Sequence, residues 1–229
     1  MQHVTEPRNW PVLVISLKDD SDRRTRIKAR LDALGIPFSF LDAIDGRSGL
    51  AEHFEVLVDR SAARERLKGR EMTDAELACA LSHRSAYEHI LSSSVEGAVI
   101  LEDDAHPTSR LRSFLDNRAF RRGDLMLLDH GQIIPWFGRW HRLPGGGIAL
   151  PVGFKANYAT GYSLSRRGAE TLLEATTPVS MTADWPLDLR KLGALACLPR
   201  QVRRSNGHVE ASHIEQSRKH SFAAWRQQR

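Results

Sequence analysis

The sequence of 229 residues is poor in the features that would place it outside the ordinary globular class. It has only two cysteines, Cys79 and Cys197, which are too few for a disulfide framework. Both lie in apolar surroundings, so we expect buried, reduced thiols. No stretch approaches the roughly 18 apolar residues that a membrane-spanning helix requires. Residues 1–10 lack the apolar core of a secretory signal. We therefore expect a cytoplasmic protein.

Two nucleotide-related signatures are also missing. There is no Walker-type glycine-rich phosphate loop. The basic residues are scattered, with no stripe of interleaved aromatic and basic side chains, so we expect no nucleic-acid partner. The net charge of +5 still permits an anionic small molecule or an acidic membrane surface.

What the sequence does contain is an alternation of strands and helices. Residues 11–17 form an apolar, β-branched run that predicts a buried strand. A helix capped by Asp20 or Ser21 follows and ends at Gly35, and a second strand is predicted at 38–45. Such a unit is typical of a parallel sheet.

The rest of the chain continues this alternation, with two interruptions. Thr73 and Glu76 form a capping box that opens a helix over 74–93. Further predictions are strands at 98–101, 124–129 and 161–165, a helix at 166–175, an irregular insert at 46–72, loops with short hairpins at 131–157, and a polar tail from about 200. The predicted fold is α/β: a Rossmann-like, mixed, mainly parallel sheet with helices on both faces. Ligands gather at the carboxyl ends of the strands in such a sheet.

One of those strand ends carries three consecutive carboxylates. In "AVILEDDAH" (98–106) an apolar strand leads directly into Glu102, Asp103 and Asp104. Continued alternation would place Glu102 and Asp104 on one face and Asp103 on the other. Either water solvates the three acids, one of them capping the next turn, or a cation lies between them. Mg²⁺ and Mn²⁺ commonly take one or two protein carboxylates and complete their shell with substrate phosphates.

Four segments, in this order, carry a resemblance to a known family: "VLVISLKDDSDRRTRIKARLDALGIPFSFLDAIDGR", "ELACALSHRSAYEHIL", "AVILEDDA" and "TGYSLSRRGAETLL". Together they resemble family 25 glycosyltransferases, and "SHIEQSR" closes the similarity at 218. The resemblance implies a GT-A type nucleotide-sugar fold over 11–218, between an N-terminal extension (1–10) and a basic tail (219–229). It also implies a UDP-sugar donor, Mn²⁺ or Mg²⁺, and inverting transfer of a hexose, with galactose foremost. The acceptor would be a saccharide or glycolipid of lipopolysaccharide or another surface glycan.

The same resemblance suggests roles for individual residues. It implies that Asp104 binds the metal with help from Glu102. The predicted donor-binding residues are Ser16, Leu17, Asp22, Arg23, Arg24, Asp45, Ser82, His83, Glu102 and Asp103. Simpler interpretations remain for several of them. The arginines could belong to a solvated helix start, Asp45 could only form a turn, and His83 could be a hydrogen-bonded core histidine.

An inverting transfer also needs a general base away from the metal. Asp184 follows the "SRRGAETLL" helix at the family's position, and Asp188 is the alternative. Trp185 and Pro186 could exclude water and raise the pKa of Asp184. Asp184 could instead cap the following turn.

The acceptor side is less defined. Trp136 and Trp140 could stack on a sugar ring or could pack the hairpins together. Asp129 could contact the acceptor, and Gly145–Gly147 suggests a flexible lid. His208 and His213 match no family position, and we assign them no metal role. The basic tail could contact an anionic membrane or be solvated; its residues are Arg203, Arg204, Arg218, Lys219 and Arg226.

Two other functions fit the same composition. A metal-dependent phosphoryl-transfer enzyme or nuclease would also use clustered acids, but it predicts a second acidic set for another metal ion. A non-catalytic nucleotide-sugar binding module would bind UDP without turnover. Binding of UDP with Mn²⁺, and then turnover of a UDP-sugar, separates the three functions.

Overall fold

The computed structural model describes residues 10–204. Predictions for His208, His213, Arg218, Lys219 and Arg226, and the outer ends of the predicted domain, lie outside the described residues. Within them the helices are α1 (Ser21–Ala33), α2 (Glu52–Glu55), α3 (Arg60–Arg66), α4 (Asp74–Ser92), α5 (Ser109–Asp116) and α6 (Arg166–Ala175). The strands are β1 (Val12–Ser16), β2 (Ser39–Asp42), β3 (Gly97–Glu102), β4 (Ala105–Pro107), β5 (Leu125–Leu127), β6 (Ile133–Pro135), β7 (His141–Arg142), β8 (Ile148–Ala156), β9 (Gly161–Ser165), β10 (Leu195–Leu198) and β11 (Val202–Arg204).

Nine of these strands form one mixed sheet in the order β2-β1-β3-β9-β5-β10-β8-β6, with β7 also paired to β8. The pairings make β8 and β9 run opposite to the other seven strands. The mixed, mainly parallel α/β sheet is confirmed. The carboxyl ends of β1 and β3 therefore lie side by side at one edge, where a ligand is expected.

Helices cover both faces of the sheet, as predicted. Alternate residues of β1 point to opposite sides: Val12 and Val14 pack in one hydrophobic cluster, and Leu13 and Ile15 in the other. The first cluster includes residues of α1 and α5, and the second includes residues of α4 and α6. Because β1 is buried on both sides, its sequence is a continuous apolar run rather than an alternating one.

The helix ends match the sequence signals. The Asp20 carboxylate caps α1 by accepting from the Arg23 amide at 3.1 Å. Gly35 just beyond α1 has φ +62°, a conformation that favours glycine. Thr73 and Glu76 form the predicted capping box of α4. These caps orient both helices toward the edge where β1 and β3 end.

The prediction of an irregular insert at 46–72 is wrong. This segment contains α2 and α3, and it packs against α4 around a third hydrophobic cluster that includes Ala63, Met72 and Leu77. Helices this short carry too few apolar positions for a readable period. The segment is also bonded to a distant loop, because the Asp59 amide donates to the Val179 carbonyl at 2.9 Å and the Val179 amide donates to the Leu57 carbonyl at 2.8 Å.

Two further predictions need correction. The hairpin region contains the nine-residue strand β8, which pairs with β10 inside the main sheet. The tail does not begin at 200, since β11 pairs with β4 and brings Arg204 opposite Ala105, next to the acidic tripeptide. No helix in the described range is long and apolar enough to cross a membrane.

Candidate active site

A cleft of about 120 Å³ opens where β1 and β3 end. Its walls come from β1, the start of α1, the loop after β2, one face of α4 and the acidic tripeptide. Nine predicted site residues line it: Ser16, Leu17, Arg23, Asp45, Ser82, His83, Glu102, Asp103 and Asp104. Residues from distant parts of the sequence thus meet at the predicted edge of the sheet.

The three carboxylates contact different partners. Asp103 accepts from the Ser16 hydroxyl at 2.7 Å and pairs with the Arg23 guanidinium at 2.7 Å. Glu102 lies 3.1 Å from the His83 Nε2. Asp104 lies 3.6 Å from Arg23 through Oδ2, whereas its buried Oδ1 has no hydrogen-bond partner. Because β3 ends at Glu102 and a turn follows, the expected strand alternation does not extend beyond it, and all three acids line the cleft.

These surroundings give the acids different proton affinities. Burial, with added repulsion from Glu102 and Asp103, raises the pKa of Asp104 to about 7, although Arg23 partly opposes the shift. For Glu102, burial also raises the pKa, but the His83 hydrogen bond and the charges of Arg23 and Arg204 outweigh it, and the net shift is downward. Burial raises the pKa of Asp103 as well, although Arg23 and the Ser16 hydroxyl oppose the shift. Asp104 is therefore the carboxylate of the three with the largest upward shift and the least compensating positive charge.

His83 connects the cleft to the core. Its Nδ1 lies 2.9 Å from the Tyr162 hydroxyl, and the Tyr162 ring lies edge-on to Trp185 with centroids 5.2 Å apart. The side chain of His83 is almost completely buried. It is thus the hydrogen-bonded core histidine of the simpler interpretation, and at the same time it positions Glu102 in the cleft.

The comparison with known proteins identifies the family. The sequence model described as "Glycosyltransferase family 25 (LPS biosynthesis protein)" matches residues 9–136, more than half of the chain. The chain belongs to glycosyltransferase family 25. The resemblance to family 25, and the α/β fold expected from it, are thereby confirmed.

Individual family 25 relatives are distant. Procollagen galactosyltransferase 1-B of Xenopus laevis is 29% identical over 187 residues, covering 75% of this chain and 30% of that protein. A putative glycosyltransferase of Haemophilus influenzae is 28% identical over 166 residues, covering 70% and 56%. A probable inactive glycosyltransferase 25 family member 3 of Rattus norvegicus is 31% identical over 188 residues, covering 75% and 32%. The matched region spans between about a third and just over half the length of these relatives.

Two predicted donor residues of this family 25 member lie outside the cleft lining. Arg24 donates to the backbone carbonyls of Ser16 and Leu17 at 2.9 and 3.0 Å and pairs with Asp42. It therefore holds the end of β1 in place. Asp22 is exposed in the first turn of α1.

The predicted bases, Asp184 and Asp188, also lie outside the lining of the cleft. Asp184 is exposed, but the next residue, Trp185, is buried with φ +60°, a rare backbone conformation for a bulky side chain. Asp188 caps the short 3₁₀ turn Leu189–Leu192 and pairs with Arg190, whose hydrogen bonds lower the pKa of Asp188. A lowered pKa is the wrong direction for a proton acceptor near neutral pH, which counts against Asp188 as the base.

The acceptor-side residues differ in exposure. Trp136 and Trp140 are 40% and 54% exposed, and Phe137 between them is 93% exposed. Phe137 and Trp140 are therefore largely left out of the packing of the hairpin, whereas the guanidinium of Arg190 lies over the Trp136 ring, 4.8 Å from its centroid. Asp129 is fully buried, with Arg200 at 3.4 Å from Oδ1 and no hydrogen bond to Oδ2, and it does not line the cleft.

Three residues near the acids were missed in the sequence. Cys79 and Arg47 line the cleft, and the charge of Arg204 acts on both Glu102 and Asp104. The spacing of Cys79 and His83 in a helix, four residues apart, could have placed both on one face. Arg204 could not have been found, because only the long-range pairing of β11 with β4 brings it there. Both cysteines are free thiols, as predicted; Cys197 is also buried, whereas the predicted burial is wrong for Cys79, which is only half-buried.

Proposed function

We propose that this family 25 member is a metal-dependent, inverting glycosyltransferase that moves a hexose, galactose foremost, from a UDP-sugar to a saccharide or glycolipid acceptor of lipopolysaccharide or another surface glycan. The observation that carries the proposal is the buried, unpaired Oδ1 of Asp104 beside two other acids in one cleft. A buried carboxylate oxygen without a partner is costly unless a ligand completes the site.

The residues present fit a divalent cation. Asp104 and Glu102 would hold Mn²⁺ or Mg²⁺, because hard cations prefer carboxylate oxygens and complete their shell with phosphate oxygens. When bound, the ion supplies charge neutralisation for the departing nucleoside diphosphate. A cation would also offset the repulsion that raises the pKa of Asp104.

The basic residues around the acids support a diphosphate ligand. The Arg23 guanidinium already bridges Asp103 and Asp104, and Arg204 adds positive charge from β11. Arginine binds phosphate oxygens through a planar fork of donors. The other cleft wall, from Ala43 to Arg47, is fixed because the Ile44 amide donates to the Ser82 hydroxyl at 2.8 Å. This wall is where we place the nucleoside.

In the transfer step, Asp184 accepts the proton of the attacking acceptor hydroxyl. The hydroxyl oxygen forms the new bond to the anomeric carbon while the bond from that carbon to the UDP oxygen breaks. Asp184 is exposed, and the neighbouring Trp185 is buried with its ring against Tyr162, which anchors the backbone at Asp184. The exposed rings of Trp136 and Trp140 offer flat apolar surfaces for the sugar rings of the acceptor.

The first experiment is calorimetry with UDP, with and without Mn²⁺. The parent protein should bind UDP only when Mn²⁺ is present, and Asp104→Ala should abolish that metal-dependent binding. Asp22→Ala is the matched control, because Asp22 is an exposed acid on α1 outside the cleft. Equal UDP affinity of Asp104→Ala and the parent in the presence of Mn²⁺ would refute the metal assignment.

A second experiment decides whether the protein is catalytic, since some relatives carry "inactive" in their names. Mn²⁺ is combined with UDP-galactose, UDP-glucose, UDP-N-acetyl sugars and GDP-sugars, and slow donor hydrolysis is followed. Turnover of one UDP-sugar supports the transferase. UDP binding with no hydrolysis or transfer would leave a binding module, and cleavage of nucleic acid would instead indicate phosphoryl transfer.

A glycolipid acceptor would bring the protein to the inner face of the cytoplasmic membrane. The basic residues proposed for that contact lie mostly beyond residue 204, and each adds about 1 kcal/mol near an anionic surface. Sedimentation with anionic and neutral vesicles at low salt tests this contact. Equal recovery with both vesicle types would rule it out.

A further inference from the structure

A thiol, an imidazole and a carboxylate meet on one wall of the cleft. In the part of the chain that the structure describes, Cys79, His83 and Glu102 are the group whose ligand atoms all lie within 4.8 Å of one another. The Cys79 Sγ lies 3.9 Å and the His83 Nε2 3.1 Å from the same oxygen of Glu102. The proposed Mn²⁺ site uses the Glu102 carboxylate but makes no use of the thiol or the imidazole.

The fold holds these three groups rigidly. Cys79 and His83 are four residues apart on α4, so both side chains leave the same face of the helix. Glu102 is the last residue of β3, in the centre of the sheet. The Nε2 of His83 faces the cluster, which leaves its Nδ1–H to donate to the Tyr162 hydroxyl oxygen at 2.9 Å. Histidines that bind a metal commonly donate a hydrogen bond from their other ring nitrogen in this way.

The combination of a thiol, an imidazole and a carboxylate favours a particular class of metal ion. Mn²⁺ and Mg²⁺ prefer oxygen ligands, whereas Zn²⁺ binds thiolate, imidazole and carboxylate together at about 2.0–2.3 Å. Three protein ligands with one open position is a common arrangement for zinc. Ligand atoms 3.1 and 3.9 Å apart need only a small adjustment to surround such an ion.

We propose that Cys79, His83 and Glu102 form a Zn²⁺ site that competes with the proposed Mn²⁺ site for Glu102. Zinc binding displaces the Cys79 proton, so the site gains a thiolate and a carboxylate ligand against the two charges of the ion. The competition rests on the proposed function, because it supposes that Glu102 serves the donor metal. Zinc is then an inhibitor at low concentration, since it binds nitrogen and sulfur sites more tightly than manganese does.

The test of binding uses Co²⁺ as a spectroscopic substitute for Zn²⁺, with no nucleotide present. The parent should show a thiolate-to-cobalt charge-transfer band in the near ultraviolet, and Zn²⁺ should abolish it. Cys79→Ala should lose the band and weaken Zn²⁺ binding by more than about 100-fold, because even outer partners of a metal ligand are worth 10–100-fold. Alanine suits the helix, and Cys79→Ser provides a second variant should alanine disturb the packing.

Cys197→Ala is the matched control. Cys197 is the other cysteine of the chain, and it is completely buried on β10, outside the cleft. Its variant should keep the cobalt band and the zinc affinity. Absence of the band in the parent, a band that survives in Cys79→Ala and Cys79→Ser, or a band lost equally in Cys197→Ala would each overturn the zinc site.

The competition is measured separately, by titrating Zn²⁺ into the parent and Cys79→Ala in the presence of Mn²⁺ and UDP. Zinc should displace UDP from the parent at zinc concentrations at which Cys79→Ala still binds UDP fully. Equal zinc sensitivity of the two proteins would overturn the competition. If the parent shows the cobalt band and loses it on addition of Zn²⁺, but never binds UDP, the proposed function fails and the zinc site stands.

Discussion

Two edges of the sheet are built in opposite ways. The first is the edge at which the carboxyl ends of β1 and β3 lie, and the second is the side of the sheet formed by β6, β7 and β8. At the first, charged side chains are buried and each is tied to a different element, as with Asp103 between Ser16 and Arg23. At the second, aromatic rings are left in solvent, with Phe137 93% exposed. The match to the family 25 sequence model covers the first edge and stops at residue 136, at the start of the second.

This contrast separates two kinds of recognition. A buried, pre-organised set of charges suits a ligand whose charge is fixed, such as a nucleoside diphosphate with its metal. Exposed rings in the loop between the short strands β6 and β7 suit a ligand held by weak stacking, whose identity can vary without rebuilding the core. If this division is correct, substitutions at the two edges should affect different measured quantities.

The largest effect is expected at Asp184, which belongs to neither edge. Asp184→Asn keeps the shape of the side chain and removes the proton acceptor, so turnover should fall by about 10²–10⁴-fold. The affinity for UDP with Mn²⁺ should stay near that of the parent. Asp188→Asn is the control, because Asp188 is engaged with Arg190 and has a lowered pKa. Near-normal turnover of Asp184→Asn would remove Asp184 from the mechanism.

The second effect is on stability and tests the burial of charge at the first edge. The folded pKa of Asp104 is about 7, above its ordinary 3.8, so the folded state holds a proton that the unfolded state has released between those values. The metal-free parent should therefore lose stability as the pH rises from 4 to 7. The cost, on the order of 4 kcal/mol, then remains above pH 7.

Asp104→Asn cannot ionise, so in metal-free solution it should be more stable than the parent at pH 8, and the difference should shrink as the pH is lowered to 5. Chemical denaturation at both pH values measures this difference. A stability difference between the two proteins that is the same at pH 5 and pH 8 would contradict the burial of an uncompensated charge.

The third effect concerns the diphosphate. Arg23→Met removes a guanidinium that contacts Asp103 at 2.7 Å, and UDP affinity in the presence of Mn²⁺ should fall by about 10–100-fold. Binding of Mn²⁺ alone should not weaken, because a positive charge has been removed from beside the acids. Arg26→Met, on the exposed side of α1, should change neither quantity. Loss of Mn²⁺ binding in Arg23→Met would mean that Arg23 organises the acids rather than the donor.

The smallest effect is expected at the second edge. Trp136→Ala and Trp140→Ala should each raise the KM for the acceptor by about 3–10-fold, the value of one lost aromatic contact. The affinity for UDP should not change. Val56→Ala, at an exposed apolar residue on a different part of the surface, controls for a general effect of losing apolar area. A change in UDP affinity with either tryptophan variant would break the division between the edges.

The sequence predicted the first edge well and the second edge poorly, for a physical reason. Caps such as Asp20 and the pair Thr73 and Glu76 act within one turn, so local sequence is enough to place them. The role of Arg204 and the length of β8 depend on pairing between strands far apart in the chain. Short helices such as α2 and α3 give no period to read, and they are stabilised by the third hydrophobic cluster.

The bridge between Val58 and Val179 gives the molecule one more property. Two backbone hydrogen bonds tie the α2–α3 insert to the loop that leads toward Asp184, and Val179 is fully buried there. Neither segment can open to solvent without breaking bonds to the other, so the two form one cooperative unit of local unfolding. Amide deuterium exchange at Asp59 and Val179 should then proceed at a shared rate.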